Sequence, residues 1–257
     1  MRVAALADIH GNLPALRAVL ADVDDERADV IVIAGDVVGG AYPREVLELL
    51  ADRHERLVWI RGNSEREAVA AWDGAPTADD EPGRAATWSA RALDREWRDE
   101  LASWPISAAV DGVRYCHGSP RRDDEVLTRL TPDAALRQAL DHVTESVVVG
   151  GHTHQQVIRR VTDGLTYVNA GSVGMPYEGR PGAFWLLLQD GQPRLRETGY
   201  DIGAAVAELR ASGFDDIDSQ LAESLLEPVD GAWVAAFFEH AAGRGPDPGP
   251  PPPHDDT

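Results

Sequence analysis

The 257-residue chain has no lysine, one cysteine, four phenylalanines and no apolar run approaching ~20 residues. A lone Cys116 has no partner for an intramolecular disulfide and suits a reducing compartment. No membrane-length stretch and no basic-then-apolar leader precede or follow the first apolar run, so a soluble, cytoplasmic protein with no membrane partner is expected. The hydrophobic fraction is 43%, and with so few aromatics the core must be mostly Val, Leu, Ile and Ala. All 24 basic side chains are arginine, against 44 acids, for a net charge of −20. The arginine-only set reads as codon bias towards GC-rich DNA, with selection for bidentate anion contacts as the alternative. No basic stripe is visible, so binding to a nucleic-acid duplex is not expected. An anionic substrate would need another source of attraction, which bound metal can supply. The length suits a single α/β unit, and self-association is compatible with it.

Short apolar runs at 2–7, 30–34 and 57–60 alternate with helical spacing (Leu13, Leu16, Val19, Leu20, Val23) and with a helix at about 43–52. Strand–helix–strand order predicts a parallel sheet. Segment 65–105 is polar and Ala-rich, and predicts a helical, lid-like insertion with helices at about 65–72 and 84–103 around a loop. Its Trp72, Trp88, Trp97 and Trp104 are either packing anchors or part of a lid that shapes substrate access. Asp-Gly pairs at 111–112, 163–164 and 190–191 predict hairpins of 108–110 with 113–117, 156–161 with 166–169, and 183–188 with 194–198. A helix at 132–142 and a strand at 146–149 lie among them. Helices at about 202–211, 219–226 and 231–242 complete a domain of 1–242. The Pro/Gly-rich remainder, 243–257, is expected to be disordered.

The polar residues that follow the strands form one set: Asp8 and His10, Asp36, Asn63, His117, His152 and His154. All are oxygen or nitrogen donors, and ligands bind beyond the carboxyl ends of strands in open α/β sheets. Both pairs at i, i+2 spacing place their side chains on one side of an extended segment. Singly, each has an ordinary reading: Asp8 or Asp36 as a helix cap, the histidines as loop or core residues, Asn63 as a turn residue. Their coincidence at five strand ends, each beside glycine, is what suggests a shared site.

The motifs Asp8-Ile9-His10, Gly35-Asp36, Gly62-Asn63, His117-Gly118 and Gly151-His152-Thr153-His154 resemble the five ordered motifs of the calcineurin-like metallophosphoesterases. The order holds from residue 1 to about 198. The GHTH form and the segment 169–174 resemble the small bacterial and archaeal phosphodiesterase branch. The resemblance implies a four-layer α/β/β/α sandwich of two mixed sheets. It also implies two divalent ions, one held by Asp8, His10 and His154, the other by Asn63, His117 and His152, with Asp36 bridging. Mn, Fe, Zn, Co or Ni suit a donor set without thiolate. Catalysis is then assigned to Asp36, Asn63 and His152, with a metal-bridging hydroxide attacking a small phosphate-ester substrate in line. A phosphodiesterase is favoured over a phosphomonoesterase or protein phosphatase, and over a catalytically weak binding scaffold. The family's histidine after Gly-Asn, which helps protonate the leaving group, is Ser64 here. Ser64, Arg121, Asn12 and Tyr177 are candidate substrate contacts. Arg122 is another, and each of these has a plain structural alternative.

Overall fold

β1 (Arg2–Leu6) is apolar on both faces, the pattern of a strand covered on both sides. Val3, Ala5 and the following Ala7 point into a layer between two sheets, whereas Ala4 and Leu6 face helices. The computed structural model describes residues 1–252. β1 pairs in parallel with β2 (Val30–Ala34) and antiparallel with β9 (Ala183–Gln189). With β3 (Leu57–Ile60) and β10 (Gln192–Thr198) they form a sheet in the order β10-β9-β1-β2-β3. The second sheet, β4-β5-β6-β8-β7, comprises β4 (Ser107–Val110), β5 (Val113–Cys116), β6 (Val147–Gly150), β7 (Gln156–Thr162) and β8 (Leu165–Ala170).

Between the sheets, Val32, Ala34, Ile60 and Leu186 of the first meet Tyr115, Val149 and Val168 of the second. Outside the first sheet, α1 (Leu13–Asp25) and α2 (Pro43–Ala51) bury Leu16, Val19, Leu20, Leu47 and Leu50. Each such side chain contributes about 1.5–3 kcal/mol relative to exposure. Outside the second sheet, Cys116, Val148 and Tyr167 pack on Leu136 and Ala139 of α6 (Asp133–Ala139). Two mixed sheets flanked by helices give the expected four layers. Cys116 lies on the outer face, against helix side chains, and burial pushes its thiol pKa up.

The insertion holds three helices rather than two: α3 (Asn63–Trp72), α4 (Glu81–Ala92) and α5 (Arg95–Ser103). Asp80 caps α4 by accepting from Gly83 N–H at 2.9 Å. The single helix expected at 84–103 breaks where Leu93 turns extended and buries itself in the core. Asp94 then accepts from Trp97 N–H at 3.0 Å and starts α5. Trp104 is buried and stacks on Trp59 at 4.5 Å, and Trp88 lies 5.6 Å from Phe214. These tryptophans anchor helices. Two Asp-Gly turns, 111–112 and 190–191, have positive φ at both residues, as a two-residue hairpin turn requires. The third, 163–164, has neither, and its hairpin carries a register shift between Arg160 and Thr162.

After β10 come α7 (Ile202–Arg210), α8 (Ile217–Leu221), a π-type turn at Ala222–Leu226, and α9 (Gly231–Ala241). Val206, Leu209, Phe214, Ile217 and Leu221 pack against Ala85 of α4 and Ala41. The insertion and the C-terminal helices therefore share one small core. Residues 243–252 form no regular element, but Arg244 pairs with Glu239 at 2.7 Å and Trp233 Nε1 donates to Gly249 O at 3.1 Å. Residues 253–257, the end of the segment expected to be disordered, lie outside the described residues. Among the described residues no helix is long and apolar enough to cross a membrane.

The strand-end loops are pressed together where side chains are missing. A Cβ on Gly174 would stand 1.7 Å from Ile9 O, between Asp8 and His10. Gly174→Ala is expected to destabilise the protein by about 1–3 kcal/mol, read as a lower urea midpoint. A wild-type midpoint would show that these loops yield.

Candidate metal centre

Five of the seven strand-end residues adopt left-handed backbone conformations: Asp8 (φ 55), His10 (45), Asp36 (52), His152 (70) and His154 (55). Such conformations cost non-glycine residues about 1–3 kcal/mol each and cluster at functional sites. Each strand ends, the chain kinks, and a donor side chain is turned back over the sheet edge. Backbone bonds hold the kinks: Asp8 N–H donates to Gly35 O at 3.0 Å, and Ile9 and His10 N–H both donate to Asp36 O.

Two trios result, Asp8–His10–His154 and Asp36–His117–His152, and within each the donor atoms lie within 4.8 Å of one another. His154 Nε2 is 3.2 Å from Asp8 Oδ1 and 3.1 Å from His10 Nε2. Asp36 Oδ2 is 3.3 Å from His117 Nε2 and 3.7 Å from His10 Nε2, so this carboxylate stands between the trios. His117 Nδ1 donates to Ala34 O at 2.8 Å, and His154 Nδ1 donates to Met175 O at 2.6 Å. With Nδ1 tied to those carbonyls, both Nε2 atoms are turned towards the centre. Imidazole nitrogens and carboxylate oxygens then converge to about 3.2 Å, an arrangement that positive charge stabilises, a proton in the metal-free protein or a bound metal ion. Asn63 Oδ1 and His117 Nε2 are buried with no hydrogen-bond partner. Oxygen and imidazole donors, orphaned and converging, fit a pair of divalent ions.

The electrostatics carry the same demand. Burial opposes ionisation of Asp36, but His117 and His10 outweigh it and hold the carboxyl well below the usual range. Asp8 is likewise lowered against burial, by His154 and His117. Burial disfavours the charged form of His117, yet the Asp36 and Asp8 carboxylates push its pKa up to about 10. His10 and His152 are depressed to about 4, first by burial and then by neighbouring imidazoles.

Several supporting residues escaped the sequence reading. Glu65, wholly buried, accepts N–H bonds from Asp36 (2.9 Å), Val37 (2.7 Å), Val38 (3.2 Å) and Gly62 (2.7 Å), and so clamps two strand-end loops together. Asn169 Nδ2 donates to Gly151 O and to Thr153 Oγ1, which fixes the GHTH turn. Ser172 Oγ donates to Asp8 O at 2.7 Å. His152 N–H donates to Asp8 Oδ2 at 3.0 Å. Only the Gly-Asn-x-Glu spacing (62–65) and the run 169–174 hinted at these roles, because the partners are distant in sequence.

A cavity of about 180 Å³ opens over the trios. Ser64 and Tyr177 line it. Ser64 N–H donates to Asp36 Oδ1 at 2.8 Å, and the Tyr177 ring stacks on His154 at 4.8 Å. Asn12 and Arg121 do not line it. The Asn12 amide caps α1 through Ala15 N–H at 3.1 Å and donates to Gly174 O at 2.9 Å. Arg121 is taken up by Glu125 and Gln138 O, and Arg122 by Asp124.

For the metal-stripped protein these shifts set opposing pH limits. His117 is raised to about 10, above its unfolded value near 6.5. Its contribution is complete below about pH 6.5 and is lost as pH rises through about 10. His10 and His152 are depressed to about 4, so their contribution is present above about pH 6.5 and is lost as pH falls through about 4. Melting temperatures taken with chelator across pH should peak near 6.5, and a flat profile over pH 4–10 would contradict this electrostatic picture.

Comparisons with known proteins agree with this geometry. The family model described as the calcineurin-like phosphoesterase superfamily domain matches residues 1–191. An uncharacterized protein of Methanocaldococcus jannaschii is 27% identical over 230 residues, covering 80% of this chain and 91% of that one. Phosphodiesterase YfcE of Escherichia coli K12 is 25% identical over 199 residues, covering 74% and 89%. A metallophosphoesterase structure from Sphaerobacter thermophilus superposes with a TM-score of 0.69 at 24% identity, covering 86% of this chain and 99% of that one. A Pyrococcus horikoshii structure gives 0.74 at 22%, covering 86% and 97%. These two likenesses show the fold. With its family model spanning both trios, the chain belongs to the calcineurin-like phosphoesterase superfamily.

Proposed function

We propose that the protein is a dinuclear metal-dependent phosphodiesterase that hydrolyses its ester by in-line displacement with water. The observation that carries this reading is the Asp36 carboxylate between two donor trios, 3.7 Å from His10 and 3.3 Å from His117. Asp8, His10 and His154 would hold one divalent ion, and Asn63, His117 and His152 the other, with Asp36 shared. When bound, such a pair supplies Lewis acidity that activates water and neutralises charge on a phosphoryl group.

The chain's own groups set the stage. Ala34 O and Met175 O orient the imidazoles of His117 and His154. Ser64 N–H holds Asp36 Oδ1, which leaves Oδ2 towards the imidazoles. The His152 N–H on Asp8 ties the GHTH turn to the first strand end. Ser64 lines the cavity where family members place the leaving-group histidine. A serine hydroxyl is a poor acid, so turnover should favour esters with good leaving groups. Diester preference is supported by the relative named as a phosphodiesterase.

Purified protein loaded with Mn should carry about two ions per chain and cleave bis(p-nitrophenyl) phosphate. His152→Ala and His154→Ala should each leave about one ion, at a different position, and lower kcat/KM on the order of 10³-fold. A folded, fully loaded protein inert towards phosphodiesters would overturn the reading.

A further inference from the structure

The cavity has two unlike sides. Its floor is His10, Asp36, Asn63, His152 and His154, and Oδ1 of Asn63, buried with no hydrogen-bond partner, marks it as a ligand site. The rest of its lining includes Glu81 and Pro82 of α4, Gln220 of α8, Phe238 of α9 and the Tyr177 ring, which stacks on His154. No arginine lines it among the described residues. Glu67 also faces in, with Arg66 3.6 Å away as a loose partner.

Glu81 is the exceptional acid. Elsewhere this chain pairs its carboxylates with arginine repeatedly, as in Arg84–Asp216 at 2.7 Å and Arg44–Asp94 at 2.7 Å. Glu81 instead has Ser219 Oγ at 3.3 Å and Glu223 as a charged neighbour. Burial first, then Glu223, push its carboxyl pKa up against hydrogen bonds from Ser219 and Gln220. Burial raises Glu223 too. Glu81 lines the cavity with no arginine paired to it among the described residues, which calls for a cation from the ligand. An inorganic ion is disfavoured: the described residues form two groups able to hold a metal, and neither contains Glu81. Glu81 shares the cavity lining with two aromatic rings, Tyr177 and Phe238, whose centroids are 6.3 Å apart and whose planes are tilted by 44°. Carboxylate together with aromatic faces is the chemistry that binds an organic ammonium. The volume of about 180 Å³ suits a compact head group. A polyphosphate chain would meet acids and no side-chain cation on these walls.

We propose that the substrate is a phosphodiester whose alcohol bears an organic ammonium group, with the phosphate over the trios and the ammonium between Glu81 and the Tyr177–Phe238 wall. The proposal rests on the phosphodiesterase reading above. The carboxylate would select this ester from neutral and anionic ones, while the reacting bond stays over the trios.

Two esters isolate the charge. p-Nitrophenyl phosphorylcholine and p-nitrophenyl 3,3-dimethylbutyl phosphate share their leaving group and diester and differ in one nitrogen for carbon. At low ionic strength, the Mn-loaded protein should show kcat/KM about tenfold higher for the choline ester. In Glu81→Gln the ratio between the two esters should fall to within about twofold. Equal kcat/KM for the two esters in the unmodified protein, or a ratio kept in Glu81→Gln, would overturn the ammonium assignment. The unmodified protein supplies the first comparison even if the variant fails to fold. Bis(p-nitrophenyl) phosphate separates the two levels. Its hydrolysis alongside an absent choline preference overturns only the ammonium assignment, whereas inertness towards all three diesters overturns the phosphodiesterase reading and this proposal with it.

Discussion

Two carboxylates buried together at adjacent strand ends, with no arginine paired to either among the described residues, are the constraint on which the rest of this structure depends. Asp8 and Asp36 are 0% and 2% exposed. His117 Nε2 stands 3.8 Å from one and 3.3 Å from the other. Isolated charges cost several kcal/mol each to bury, and the attraction that offsets this cost requires close, well-oriented opposite charge. Everything nearby supplies that orientation. The strand ends kink into left-handed conformations, glycines let the loops touch, and Glu65 draws four backbone N–H groups around itself. The result is a preorganised hollow for positive charge in a protein of net charge −20.

The same constraint explains what the sequence made legible. Strand runs ending in glycine and then in Asp, Asn or His are local signals, and all seven expected donors lie at the sheet's carboxyl edges. His152 and His154 sit two residues apart yet fall into different trios. Cys116 was readable by strand alternation alone, since the residue beside His117 must face the other way. The layers followed from strand–helix order and from turn chemistry at the Asp-Gly pairs.

What stayed hidden depends on distant partners. Nothing local says that Glu65 reaches Asp36, Val37 and Val38, or that Asn169 braces Gly151. The break between α4 and α5 depends on Leu93 finding the core, which overrides a continuous run of helix-forming residues. Asn12 and Arg121 looked suited to phosphate, but the first is consumed by its cap and the second by Glu125. The rest of the cavity lining, where α4 meets the C-terminal helices, joins segments more than a hundred residues apart, so its acidity and its aromatic rings appear only in three dimensions.

The central claim is that Asp36 is shared between two ions held by different trios. Anomalous diffraction from Mn-loaded crystals tests it most directly. The account predicts two peaks ~3.5–4 Å apart, with an Asp36 oxygen within bonding distance of both and with His152 and His154 on different ions. One peak, or two with Asp36 turned away from either, would contradict it.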